Sequence, residues 1–91
     1  MHTVYIIDDE ENLKNKLNEE FKKDGNYKFK QIKTEDIDVA LKDIPALIIV
    51  NEDTIAEKAT EVCYKIRNND DNSITPVIVV TSEYERKHKL E

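Results

Sequence analysis

Three clusters of oxygen-bearing side chains could do chemistry. They are Asp8-Asp9-Glu10-Glu11, Asn51-Glu52-Asp53 and Thr81-Ser82. Each directly follows a short apolar run, so a fold that lays these runs side by side as parallel strands would gather the clusters at one edge, where parallel α/β sheets bind ligands. Carboxylates converging there make a hard-oxygen site suited to Mg²⁺, which takes a few carboxylates and keeps several waters. Gly25 is the only glycine, which excludes a glycine-rich pyrophosphate cradle. Cys63 is the only cysteine and no Cys/His spacing suggests zinc. His2 and His88 lie near the two ends and are assigned no role.

The elements that must position these clusters are legible in the apolar pattern. Val4-Tyr5-Ile6-Ile7, Ala46-Leu47-Ile48-Ile49-Val50 and Pro76-Val77-Ile78-Val79-Val80 are β-branched and almost uniformly apolar, as strands covered on both faces of a parallel sheet are. Tyr27-Lys28-Phe29-Lys30-Gln31-Ile32 alternates and reads as a half-exposed edge strand. Between them, Leu13, Leu17 and Phe21 recur every fourth residue and predict a helix over 10–23, stopped at Asp24-Gly25. Ile37, Ala40, Leu41 and Ile44 predict a shorter helix that Pro45 ends.

A third helix is predicted over 54–68, with Ile55, Ala59, Val62, Cys63 and Ile66 inward and Thr54-Ile55-Ala56-Glu57 as a capping box. Ser82-Glu83-Tyr84-Glu85 repeats that pattern, so a fourth helix is expected from about Glu83. Asn68 to Ser73 reads as a polar loop. Alternating strands and helices joined by short loops give a three-layer α/β fold built from βαβ units.

Length and charge bound the rest. Ninety-one residues allow one domain, 1–91, and 38% hydrophobic against 37% charged residues leave little apolar material to spare. A net charge of -6 has the wrong sign for a phosphate-backbone binder or an anionic membrane surface. No apolar run approaches the roughly 20 residues of a membrane helix and no leader pattern opens the chain, so a cytoplasmic protein is expected.

Ile7-Asp8-Asp9-Glu10 after the first strand, a third strand closing on Asn51, Ile66-Arg67 sixteen residues on, and Pro76-Val77-Ile78-Val79-Val80-Thr81-Ser82 together resemble the receiver domain of bacterial two-component response regulators. The resemblance runs in order over essentially the whole chain. It implies a flavodoxin-like (CheY-like) parallel sheet of order 2-1-3-4, lacking the fifth strand and last helix. It also implies that Asp8 and Asp9 are the Mg²⁺-holding positions, that Thr81 is the hydroxyl that senses a phosphoryl group, and that Asn51 stands where the family has its phosphoacceptor aspartate.

The departure at Asn51 bears directly on function. Phosphotransfer in the family uses an ionised carboxylate as nucleophile with Mg²⁺ neutralising charge, and a neutral amide has no anionic oxygen to attack with. With one carboxylate fewer, Mg²⁺ is expected to bind weakly at most. Ile55 and Ala59 stand where the family has a proline and a glycine, and the phosphate-contacting lysine at the end of the family's fifth strand cannot be assigned in these 91 residues.

The expectation is a phosphorylation-incompetent receiver-like module without catalysis of its own. It would act in a phosphorelay-type signalling system through protein contacts, with an output domain or as a homodimer, with or without exchange of elements. The alternative is a working Mg²⁺-dependent phosphoacceptor receiver, in which Asn51 is a substitution of the acceptor or Asp53 has taken over. A third reading is a small Mg²⁺-dependent phosphatase with Asp8 as nucleophile. Against these stand plainer roles. Asp8 and Asp9 could cap the first helix, Asp53 sits beside the Thr54 cap, and Cys63 falls on a buried stripe.

Overall fold

A computed structural model of the chain describes residues 2–55 and 57–81. Four parallel strands, β1 (His2–Ile7), β2 (Tyr27–Ile32), β3 (Leu47–Asn51) and β4 (Val77–Val80), form one sheet of order β2-β1-β3-β4. Helices α1 (Asn12–Phe21), α2 (Ile37–Ala40) and α3 (Ala59–Arg67) lie in the crossovers, with 3-10 turns at Thr34–Asp36 and Asp70–Asn72. The expected α/β architecture and strand order are present. The helix expected from Glu83 lies outside the described residues.

Register decides which face each apolar residue serves. Tyr5 pairs with Ile48 and Ile7 with Val50, so these four point to one face, where they meet Ile37 and Leu41 of the α2 segment and Ala59, Val62 and Ile66 of α3. Ile48, Val50, Val62 and Ile66 are wholly buried. At about 1.5–3 kcal/mol for each fully buried Val or Ile, this face supplies most of the apolar stabilisation.

The opposite face is thinner. Val4 and Ile6 are buried there, yet no residue of α1 is: Leu13 and Leu17 are half-buried and Phe21 is 42% exposed. By the pairing of Ile49 with Ile78 and of Asn51 with Val80, Ile78 and Val80 share this thin face, and they are 50% and 39% exposed. The expectation that β4 is covered on both faces is therefore corrected, because α1 packs against β2, at the far end of the sheet, and among the described residues Ile78 and Val80 stay exposed.

The helices are shorter than their periodicity suggests, and polar contacts explain why. Helix α1 begins at Asn12 instead of Glu10 because the Glu10 N–H turns back to the Asp8 carboxylate at 2.8 Å. Gly25 then leaves the chain with φ +69, a conformation suited to glycine after a helix. The α2 segment tightens into three-residue turns after Leu41, through Lys42 N–H to the Val39 carbonyl and Asp43 N–H to the Ala40 carbonyl. Ile44, expected inward, is 66% exposed.

Helix α3 starts at Ala59 with Lys58 as its N-terminal cap residue, not at a Thr54 capping box. Ile55 still packs against the core but from outside the helix, and Glu57 pairs with Lys65 at 2.9 Å. Cys63 is half-buried, not fully buried. Burial pushes its thiol up, the Arg67 guanidinium opposes this, and Glu52 adds to the rise.

The stretch read as a polar loop contains a buried hub. Asn69 caps the 3-10 turn by accepting from the Asp71 and Asn72 N–H groups, and Asn72 is wholly buried. Its amide nitrogen donates to the carbonyls of Leu41 at 2.9 Å and Asp43 at 3.1 Å, while its oxygen accepts from the Thr75 hydroxyl at 3.0 Å. Asn72 thereby ties the approach to β4 to the end of the α2 segment.

Candidate functional site

Parallel register brings the carboxyl ends of β1 and β3 together, with Ile7 opposite Val50. Asp8 follows β1 and Asn51 ends β3, so the two side chains meet although 43 residues separate them. Asp8 is wholly buried. A buried carboxylate is tolerated only when donors satisfy it, and among the described residues three do so here. One oxygen, Oδ1, accepts from the Glu10 N–H at 2.8 Å and from the Thr54 hydroxyl. The other, Oδ2, accepts from the Asn51 amide nitrogen at 3.2 Å.

Chemistry fixes the orientation of that amide. A carboxylate facing it accepts only, so the NH₂ end of Asn51 points at Asp8. Its carbonyl end points the other way and accepts from the Asp53 N–H at 3.3 Å. The turn after β3 is thereby drawn over Asp8, with Thr54 N–H donating to the Asn51 carbonyl at 3.3 Å. Thr54 is the residue sequence reading missed: its hydroxyl serves Asp8 across 46 positions, not a helix end. Its place three residues beyond the close of β3 was the available signal.

Asp9 is directed elsewhere. Its two carboxylate oxygens accept from the N–H and the hydroxyl of Thr34, both at 2.8 Å, which ties the end of β1 to the turn after β2. Thr34 is buried and was not singled out in the sequence. Gln31 adds a further tie, donating to the Asp8 carbonyl at 2.9 Å. Thr81 follows Val80, which pairs with Asn51, so it stands on the same edge of the sheet and is half-buried. Glu52 and Asp53 are exposed on the turn.

These residues do not make a cation site of the expected kind. Among the described residues no group of three or more His, Cys, Asp or Glu could hold a metal ion. A Mg²⁺ ion takes oxygen ligands, whereas the positions around Asp8 present N–H and O–H hydrogens, and both Asp9 oxygens face Thr34. No helix among the described residues is long and apolar enough to cross a membrane.

No protein-family model matches the chain, and no curated protein sequence matches it. A solved structure does: the signal receiver domain of a two-component signal transduction histidine kinase from Clostridium thermocellum. It superposes with a TM-score of 0.73 at 27% sequence identity, covering 93% of this chain and 74% of that one. In strand order, in the placing of Asp8 and Asn51 at adjacent strand ends, and in this similarity, the chain resembles a receiver domain of two-component signal transduction and has the CheY-like fold.

Proposed function

We propose that the chain is a receiver-like regulatory module that takes no phosphoryl group at position 51, has no catalysis of its own, and works through contacts with other proteins inside the cell. The observation that carries this reading is the Asn51 amide turned with its NH₂ toward Asp8. Phosphoryl transfer to a side chain needs an anionic oxygen as nucleophile, and this position presents neither a charge nor an oxygen on that side.

The partner surface follows from the two sheet edges. The β2 edge carries Lys28 and Lys30, which discourage pairing with another copy, whereas β4 is Val77-Ile78-Val79-Val80 without a charge. Ile78, Val79 and Val80 are each at least 39% exposed. A contact along β4, with an output domain or a second copy of this chain, would cover them.

Incubation with acetyl phosphate and Mg²⁺, followed by intact mass measurement, tests the first half of the proposal. The unmodified mass is the expected result. A gain of one phosphoryl group, mapped to Asp53, would replace this reading by that of a working receiver, and turnover of a generic phosphate ester would replace it by a phosphatase. Light scattering tests the surface, with self-association expected for the natural chain and reduced for Val79→Lys. A monomer at all concentrations removes the second copy as partner.

A further inference from the structure

We infer that Thr54 and Asn51 are permanent hydrogen-bond partners of Asp8, holding the turn between β3 and α3 in a single arrangement that needs no divalent cation. The inference rests on the receiver-like reading for the location of the site. It concerns the turn rather than phosphorylation, so the two can fail separately.

The three donors to Asp8 come from different parts of the chain: the backbone just after β1, the end of β3, and the turn beyond it. Asp8 is wholly buried, so each donor released leaves the carboxylate less well satisfied in a place where water does not replace it without cost. A cation approaching Asp8 would meet the Asn51 NH₂ and the Thr54 hydroxyl hydrogen, both positive ends of dipoles. Rotating the Asn51 amide to offer its oxygen would break its bonds to Asp8 and to the Asp53 N–H together. Moving Thr54 would break its hydroxyl bond to Asp8 and displace the backbone that donates to the Asn51 carbonyl.

Asp9 closes the remaining route. Both of its oxygens accept from Thr34, so turning one toward Asp8 would open the tie between the end of β1 and the 3-10 turn at Thr34–Asp36. The polar groups that a cation would have to recruit are thus already spent on one another. The turn is held by side chains of the chain itself.

Amide hydrogen exchange over residues 52–55, read in EDTA and in millimolar Mg²⁺, tests this on the natural chain. Equal exchange and an equal melting temperature in the two buffers are expected. In Thr54→Val the same amides should exchange about tenfold faster, the size expected from losing one hydrogen bond to a charged group. Thr54→Ser, which keeps the hydroxyl, should restore the natural rate. Slower exchange or a raised melting temperature in Mg²⁺ for the natural chain would overturn the inference, as would a Thr54→Val turn exchanging like the natural one. If Thr54→Val does not fold, the comparison of the serine variant with the natural chain and the Mg²⁺ comparison decide: a serine variant with loosened amides counts against it. A phosphoryl group found on Asp53 would sink the functional reading while leaving these exchange rates as they are.

Discussion

Asn51→Asp is expected to lower the melting temperature by about 10 °C in buffer with EDTA, corresponding to about 2 kcal/mol for a chain of this size. The natural amide donates to Asp8 at 3.2 Å, a bond to a charged group worth about 1.5–3 kcal/mol. The aspartate removes that donor and sets two carboxylates side by side, where one is wholly buried. At an effective dielectric of about 20 the bare repulsion at this separation is about 5 kcal/mol. Position 51 is half-buried, so water screens a good part of it.

Asn51→Ala separates the two contributions. It loses the bond without adding charge and should cost about 1.5 kcal/mol, the low end of the range for a bond to a charged group. Millimolar Mg²⁺ is expected to recover part of the loss in Asn51→Asp and to leave Asn51→Ala unchanged, because only the former holds a pair of like charges to neutralise. Thermal melting of the three chains in EDTA and in Mg²⁺ reads all of this. An aspartate variant as stable as the natural chain in EDTA would show that the amide does not hold the Asp8 carboxylate.

Asn72→Ala should cost more, about 3–4 kcal/mol. The substitution leaves the carbonyls of Leu41 and Asp43 and the hydroxyl of Thr75 without the partner each has now, in a place where Asn72 is wholly buried and Thr75 nearly so. Buried unsatisfied groups cost about 1–3 kcal/mol each, moderated here by the carbonyls' position at a turn. Domains of this size have total stabilities near the low end of about 5–15 kcal/mol, so the variant should be close to half unfolded at mild urea concentrations.

Urea titration checks it through the midpoint, with the slope unchanged if the folded and unfolded states keep their compactness. Asn69→Ala is the contrast. It removes a cap bonded to the Asp71 and Asn72 N–H groups in a more exposed place and should cost about 1 kcal/mol. Equal costs at the two positions would show that Asn72 is no hub.

The two variants mark the line between what could be read from the chain and what could not. The β-branched runs, the stop at Gly25 and Pro45, and the alternation of strands with helical patterns depend on neighbours a few residues apart. The parallel α/β class and the placing of Asp8, Asn51 and Thr81 at one edge followed from them, and the strand order followed only from the receiver resemblance that these residues carry. Helix ends were legible only approximately. Thr54 looked like a cap because Glu57 follows it at the right spacing, yet the buried Asp8 competes for the same hydroxyl and a carboxylate with no access to water is the stronger claimant.

The sequence by itself determined the α/β class, the parallel character of the sheet and the absence of a carboxylate at position 51, because periodicity and residue identity are local properties. Only the tertiary structure decided which donors satisfy Asp8, which carbonyls Asn72 holds and how much of β4 the other described residues leave uncovered. Those outcomes depend on groups 29 to 46 positions apart reaching hydrogen-bond distance, and on which helix happens to lie over which strand. A single hydroxyl or amide has one best partner among several that the sequence offers, and burial selects it.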